Sequence, residues 1–436
     1  MNIRRLALSL LNEYEAGEKY VNLLLTSHAC DGLSLEERGQ LTALIYTAVE
    51  QKLRYDYYIK AISGRGDGDI DPVTLNILRL GVCQLLDMRS IPNFAAVSET
   101  VSLGRNPGER SFVNGVLRAI ARQRDALPLP DENKNYKRYL SVKYSFPLWL
   151  VKHLDKLYGR EACEELLLAF NTRRYTDLTV NTLKISRDEY LEKLKNSGIS
   201  AEKCADTSHG VRVDGSVNPD TLPGFSDGEL FVQDTASLMA LETLAPKRGE
   251  RIIDVCAAPG GKSLAAAILS RDLGEVYSFD LHMSKLSLIE SSAVRLGLSS
   301  LNVSERDALT PDESLFGTAD KLIVDAPCSG LGVLSKKPDL RYKSADSIKE
   351  LPALQLSILT ASAKYLKAGG ELVYSTCTLN PEENSAVAKH FLSENPDFER
   401  VTFKVGTRPE ASELTLLPHI DGTDGFYIAK MRRKRI

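Results

Sequence analysis

Five short apolar runs, at residues 251–256, 275–280, 301–304, 321–325 and 371–376, alternate with helical stretches, and this alternation narrows the possible folds more than any other feature. Strands separated by helices cannot pair as hairpins. They predict parallel pairing through crossover helices, hence a doubly wound, Rossmann-like α/β domain over residues 233–436. Open sheets of this kind bind ligands outside the carboxyl ends of their strands, so the residues at those ends carry the chemistry.

The first strand runs into Asp254-Val255-Cys256-Ala257-Ala258-Pro259-Gly260-Gly261-Lys262-Ser263 and then a helix. A Gly-rich strand-to-helix turn lets backbone N–H groups approach an anion. Gly-Lys-Ser resembles a phosphate-binding P-loop, but that pattern needs Gly at position 256, where this chain has Cys. The dinucleotide pattern G-x-G-x-x-G is also missing. Asp280, at the end of the second strand, is placed where such folds hold ribose hydroxyls, and Asp307, after the third, is placed to border an adenine. A Gly-Gly turn alone is usually only a tight turn, and an Asp at a strand end is often only a helix cap. Together, their order and spacing predict a nucleoside with a carboxylate-bearing tail, such as S-adenosyl-L-methionine.

Strand four closes with Asp325-Ala-Pro327-Cys328 and strand five with Ser375-Thr376-Cys377, so both thiols are expected to face one crevice beside the cofactor. Carbon 5 of a pyrimidine is a poor nucleophile, and a thiolate adding at carbon 6 turns it into an enamine that can take a methyl group. Asn380 as N-cap and Pro381 at the first helical position predict a helix beyond Cys377 whose N-terminus would lower the thiol pKa. Asp325 is placed to orient the base. Most lone cysteines are small buried hydrophobes, and Cys30, Cys83, Cys163 and Cys204 are assigned to that class, with Cys256 expected to pack inside the cofactor turn.

Toward the amino end the texture is different. Residues 1–126 read as helices only, with apolar residues at three-to-four spacing and a continuous helix expected over 35–62. Two prolines, Pro128 and Pro130, mark a linker, and residues 127–232 predict a small α/β domain with strands at 178–183 and 210–213 and a helix opened by Ser186 and Glu189. Residues 134–160 interleave Lys and Arg with Tyr, Phe and Trp, a pattern that fits stacking on single-stranded RNA and equally fits helices docking two domains. With 55 basic against 58 acidic residues there is no global positive field, so RNA contact must come from local patches. The seven scattered cysteines include no C-x-x-C pair, which argues against a zinc ribbon or a disulfide framework, and no metal is expected. No apolar run approaches the roughly 18 residues a membrane span needs. The chain is expected in the cytoplasm.

These motifs resemble the NOL/NOP/Sun family of RNA 5-methylcytosine methyltransferases. The likeness rests on 254–262, Asp280, Asp307, the Asp325-to-Cys328 motif, the Thr-Cys motif at Cys377 and the Pro381-Glu-Glu-Asn384 that follows. It implies Cys377 as nucleophile, Cys328 as the group that assists product release, and Cys256, Ala257, Ala258, Pro259, Gly260, Gly261, Lys262, Asp280, Asp307 and Asp325 as the cofactor site. The helical front, with Phe112-Val-Asn114-Gly, is similar to the NusB family of RNA-binding helical proteins. The combination implies 16S rRNA as partner and cytosine 967 as target, with no DNA and no membrane, and a monomer as the acting form. One segment departs from the family pattern: Thr179-Val-Asn181 has Thr where the family has Arg, which makes Arg173 or Arg174 the candidate replacement toward RNA. The basic loop from Lys336 to Arg341 is expected to touch phosphates. Rival readings are a tRNA cytosine methyltransferase, a non-catalytic RNA-binding protein and an antitermination factor.

Overall fold

The computed structural model describes every residue except Met1, Glu18, Lys19, His28, Ala29, Arg89, Arg173, Arg174 and Ile436. The chain forms two compact units, residues 1–171 with 334–345, and residues 172–333 with 346–436.

The first unit begins with helices α1 (Ile3–Glu15), α2 (Val21–Leu25), α3 (Leu35–Glu50), α4 (Lys52–Ser63), α5 (Pro72–Leu86), α6 (Asn93–Val101) and α7 (Pro107–Arg122). Their starts follow from local chemistry: Ser34 and Glu37 close a capping box on α3, while Asp71 and Asn106 cap α5 and α7 ahead of prolines in the first turn. The helix expected over 35–62 is broken at Gln51, whose backbone leaves the helical region, and α4 ends on the left-handed Gly64. Leu10, Leu41, Ile45, Ile77, Leu78, Val113, Leu117 and Ile120 form the shared core. Helices α8 (Tyr136–Lys143), α9 (Leu148–Tyr158) and α10 (Arg160–Thr172) follow.

In this basic and aromatic stretch three of the basic side chains are paired with acids of the same unit. Lys137 pairs with Asp155 at 2.6 Å, Lys143 with Glu164 at 2.8 Å and Arg160 with Glu132 at 2.6 Å, while Phe146 is fully buried. The segment 334–345 belongs to the same unit. Arg341, expected to meet phosphates, instead has no exposed surface: its guanidinium lies 4.0 Å from the Phe146 ring centroid and 3.5 Å from the Glu50 carboxylate. Tyr342 donates its hydroxyl to the Val49 carbonyl at 2.7 Å.

The second unit contains two sheets. The smaller is antiparallel in the order β2 (Ala201–Lys203), β3 (Gly210–Asp214), β1 (Tyr175–Val180), β4 (Leu230–Val232), and carries helix α11 (Arg187–Asn196) with the Ser186 and Glu189 capping box in place. The strand expected at 178–183 starts and ends earlier, because Asn181 turns its amide to the Gly228 and Leu296 carbonyls and leaves the ladder.

The larger sheet is built from β5 (Arg251–Asp254), β6 (Glu275–Asp280), β7 (Leu301–Glu305), β8 (Ala319–Asp325), β9 (Leu366–Thr376), β10 (Phe398–Arg400), β11 (Glu413–Leu416) and β12 (Phe426–Arg433). Its order is β10-β12-β9-β8-β5-β6-β7, with β11 also on β12. The five predicted strands are parallel, whereas β12 runs antiparallel to β9 and makes the sheet mixed. The short basic stretch that starts at Met431 begins inside β12. There Lys430 and Arg432 reach Glu371 at 3.1 and 2.6 Å, so alternating charges are paired rather than free. Helices α12 (Thr235–Leu244), α13 (Gly261–Leu269), α14 (Met283–Leu296), α15 (Leu351–Ala363), α16 (Ser385–Glu394) and the short α17 (Pro418–Asp421) complete the unit. Apolar clusters line both sheet faces, one including Ile252, Ile323 and Val373, the other Ile253, Val324 and Tyr374. Among the described residues, no helix is long and apolar enough to cross a membrane.

Candidate active site

The turn between β5 and α13 is shaped by glycine. Gly260 has φ +112°, and a Cβ there would lie 3.0 Å from the Ile289 side chain, so the tight approach of turn and helix α14 requires its absence. The Ala258 N–H donates to Asp280 Oδ2 at 3.1 Å, which fixes the acid at the end of β6 against the Gly-rich turn. Asp307, beyond β7, accepts the Leu309 N–H at 2.9 Å.

Cys256 stands among these acids. Burial and the charges of Asp254, Asp325, Asp280 and Asp307 push its thiol far above the usual range, so it packs as a neutral side chain. Asp254 is fully buried, accepts the Ser263 hydroxyl at 2.8 Å, and is pushed up to about 7 by burial. The half-buried carboxylates of Asp280, Asp307 and Asp325 suit a ligand that brings hydroxyl donors and positive charge. S-adenosyl-L-methionine, with its ribose, ammonium and sulfonium, fits that set.

Neighbouring strands β5 and β8 bring Lys262 and Asp325 together. Lys262 Nζ lies 2.7 Å from Asp325 Oδ2, and Ser375 donates its hydroxyl to Oδ1 of the same carboxylate at 2.7 Å. Beyond Asp325 the chain reaches Cys328, whose sulfur is 3.1 Å from that of Cys377. Gly332 donates to the Cys377 carbonyl at 2.9 Å and accepts from Gly425 at 2.8 Å, and a Cβ on Gly332 would meet the Gly425 oxygen at 1.9 Å. Three loops therefore close around the sulfur pair. The Cys328 thiol is held well above its normal pKa, first by its hydrogen bond with Cys377, then by burial and by the charge of Cys377, Glu383 and Asp325.

The helix expected to start at Pro381 is instead a single 3₁₀ turn, Pro381–Glu383, and α16 begins at Ser385. One short turn does not sum enough peptide dipoles to lower a thiol pKa in the way expected. Its residues have another use: the fully buried Glu383 accepts from the Ser329 N–H at 2.8 Å and from the Gln355 amide at 3.0 Å. Gln355, midway along α15, carried no sequence signal. The pairing of Lys262 with Asp325 was likewise unread, although both residues were named.

In the smaller sheet, Thr179 is buried and donates to Gln233 at 2.8 Å, facing the interior rather than an RNA. Arg173 and Arg174, the candidate replacements, lie outside the described residues. A cavity of about 660 Å³ near Lys247, Asp320 and Glu371 lies at the opposite strand ends, where Lys321 pairs with Glu371 at 2.7 Å and Lys367 with Asp320.

Three family models match segments of the chain. Residues 241–432 match the model for "16S rRNA methyltransferase RsmB/F", residues 1–122 the NusB family, and residues 146–220 the ferredoxin-like domain of RsmF/B-like methyltransferases. A Bacillus subtilis protein named probable ribosomal RNA small subunit methyltransferase B is 38% identical, with 99% of each chain covered. The chain belongs to the RsmB/F methyltransferase family. The Shigella sonnei ribosomal RNA small subunit methyltransferase B is another relative, 34% identical over 99% of each chain. Among solved structures, PH0851 is 27% identical with a TM-score of 0.81, covering 99% of this chain and 98% of its own. A methyltransferase homologue from Pyrococcus horikoshii is 28% identical with a TM-score of 0.61, covering 69% of this chain and 99% of its own. As an RsmB/F member, the chain is an S-adenosyl-L-methionine-dependent RNA methyltransferase.

Proposed function

We propose that the chain methylates carbon 5 of a cytosine in 16S rRNA, cytosine 967, through a transient bond between Cys377 and carbon 6 of the base. The observation that supports this reading best is the 3.1 Å separation of the Cys328 and Cys377 sulfurs beside the Lys262–Asp325 pair. A single buried cysteine would be ordinary; two at one sheet edge with an adjacent carboxylate suit nucleophilic attack followed by release.

In this scheme the Cys377 thiolate adds to carbon 6 and the electron pair moves toward carbon 5. Residues 256–262 with Asp280, Asp307 and Asp325 would hold S-adenosyl-L-methionine, which would supply an electrophilic methyl group to carbon 5 and leave as the neutral thioether. Asp325, its charge balanced by Lys262, accepts a hydrogen bond from the exocyclic amine or the N3 proton of the activated base. Loss of the carbon 5 proton to solvent water then returns the electron pair and expels Cys377 as a thiolate, which the protonated Cys328 thiol stands beside to hold in place. The cytosine must be unpaired or swung out to reach the two sulfurs. Tritiated methyl transfer to unmodified 16S rRNA tests the scheme: Cys377→Ala is expected to lose transfer while still binding cofactor, and retained turnover refutes the adduct. Failure of the intact chain to methylate rRNA under the same conditions favours a non-catalytic RNA-binding role.

A further inference from the structure

We propose that Glu383 is a positioning residue that sets the distance between the two catalytic sulfurs. Its side chain has no exposed surface, and every group it contacts is a neutral donor. Oε2 accepts from the Ser329 N–H at 2.8 Å and the Gln355 amide at 3.0 Å. Oε1 accepts from the Ser329 hydroxyl at 2.6 Å, the Asn380 amide at 3.1 Å and the Thr378 hydroxyl at 3.4 Å. Ser329 follows Cys328 and Thr378 follows Cys377. One carboxylate therefore grips the residue after each cysteine.

Burying a carboxylate without a cation is costly, and a chain tolerates it only where several hydrogen bonds converge. Only a carboxylate accepts on both atoms; an amide of the same shape must turn an N–H toward a donor. Two further contacts tighten the clamp. The Ser329 and Thr378 hydroxyls meet directly at 2.7 Å, and Asn384 holds the far side of the Cys377 loop by donating to the Thr378 carbonyl at 2.9 Å. Since the sulfurs ride on these loops, loosening Glu383 lets them part while leaving the cofactor turn on β5 untouched.

The catalytic relevance of the clamp rests on the nucleophile reading, but the clamp itself is measurable without RNA. The intact chain is treated with diamide, a thiol-specific oxidant that takes two electrons and two protons from the cysteine pair as their disulfide forms, and the 328–377 linkage is followed by peptide mass mapping. Glu383→Gln is expected to slow that linkage at least tenfold and to lower kcat for methyl transfer by a similar factor. KM for rRNA and cofactor affinity are expected to stay within twofold. Ser329→Ala, which removes the hydroxyl contacts with Glu383 and Thr378 and keeps the backbone N–H, should show a smaller shift in the same direction, and it decides the matter if Glu383→Gln does not fold. Linkage and kcat both within twofold of wild type overturn the clamp. If Cys377→Ala retains turnover, the adduct falls while a slowed linkage in Glu383→Gln still upholds the clamp.

Discussion

Lys262 Nζ stands 2.7 Å from Oδ2 of Asp325, joining the cofactor turn on β5 to the strand that leads to Cys328. The Lys262 side chain is nearly buried, and its ammonium also lies 5.2 Å from the Phe426 ring centroid. A shielded pair of this kind acts in low dielectric, where loss of one charge is felt strongly. Lys262→Met is expected to lower the single-turnover rate of methyl transfer by about 10²-fold, the size seen when one preorganised electrostatic partner is removed from an active site. Quench-flow measurement with saturating cofactor checks this, and a rate within threefold of wild type would show that Asp325 works without its cation.

Cys328→Ala should stall the reaction after addition. An RNA–protein complex that survives denaturing gel electrophoresis is expected to accumulate in Cys328→Ala and to vanish in the Cys328→Ala, Cys377→Ala double variant. Absence of the band in the single variant removes the release role from Cys328.

Asp254 predicts a pH effect on stability. Burial pushes its carboxyl up to about 7 from the ordinary 3.8, so the folded chain holds a proton that the unfolded chain releases earlier. The neutral form contributes stability that is complete below pH 4 and lost as pH rises through about 7. Relative to wild type, Asp254→Asn should therefore gain melting temperature between pH 4 and 7 and level off above. Calorimetry across that range tests the sign, and a difference independent of pH would mean that the carboxyl titrates normally.

Arg341 and Glu50 supply a fourth test. Arg341 is fully buried, and burial holds the Glu50 carboxyl above its usual pKa even with the guanidinium 3.5 Å away. Arg341→Met takes from that carboxylate the stronger of its two cationic neighbours, Arg341 and Arg54, and is expected to cost about 3 kcal/mol. Adding Glu50→Gln should restore a good part of the loss. Urea unfolding of both variants measures it, and additive losses in the double variant would show that the pair does not interact.

The strand ends were easier to read than the packing. Strands with parallel partners announce themselves by apolar runs ending in or just before Asp or Cys, and β5, β6, β8 and β9 were legible for that reason, β7 by its alternation with helices. β12 was not, because it alternates Lys430 and Arg432 with apolar residues and resembled a solvated tail until Glu371 was placed beside it. Cys328 and Cys377 were legible as a pair from their strand ends. Glu383 was visible only as part of a motif, and its role depends on five donors brought from three separate stretches of chain, which no local pattern encodes. Arg341 misled for the opposite reason: a basic residue in a basic loop reads as solvent-facing, and only Glu50 and the Phe146 ring, both remote in sequence, explain its burial.

The segment 334–345, bound within the helical unit, also constrains the order of biosynthesis. The helical unit contains residues from the start of the chain and from a stretch made only after residues 172–333 have emerged. At about 5–20 residues per second of translation, its amino-terminal helices wait on the order of ten seconds or more for Arg341 and Tyr342 to arrive. Glu50 and the Phe146 ring spend that interval without their partner.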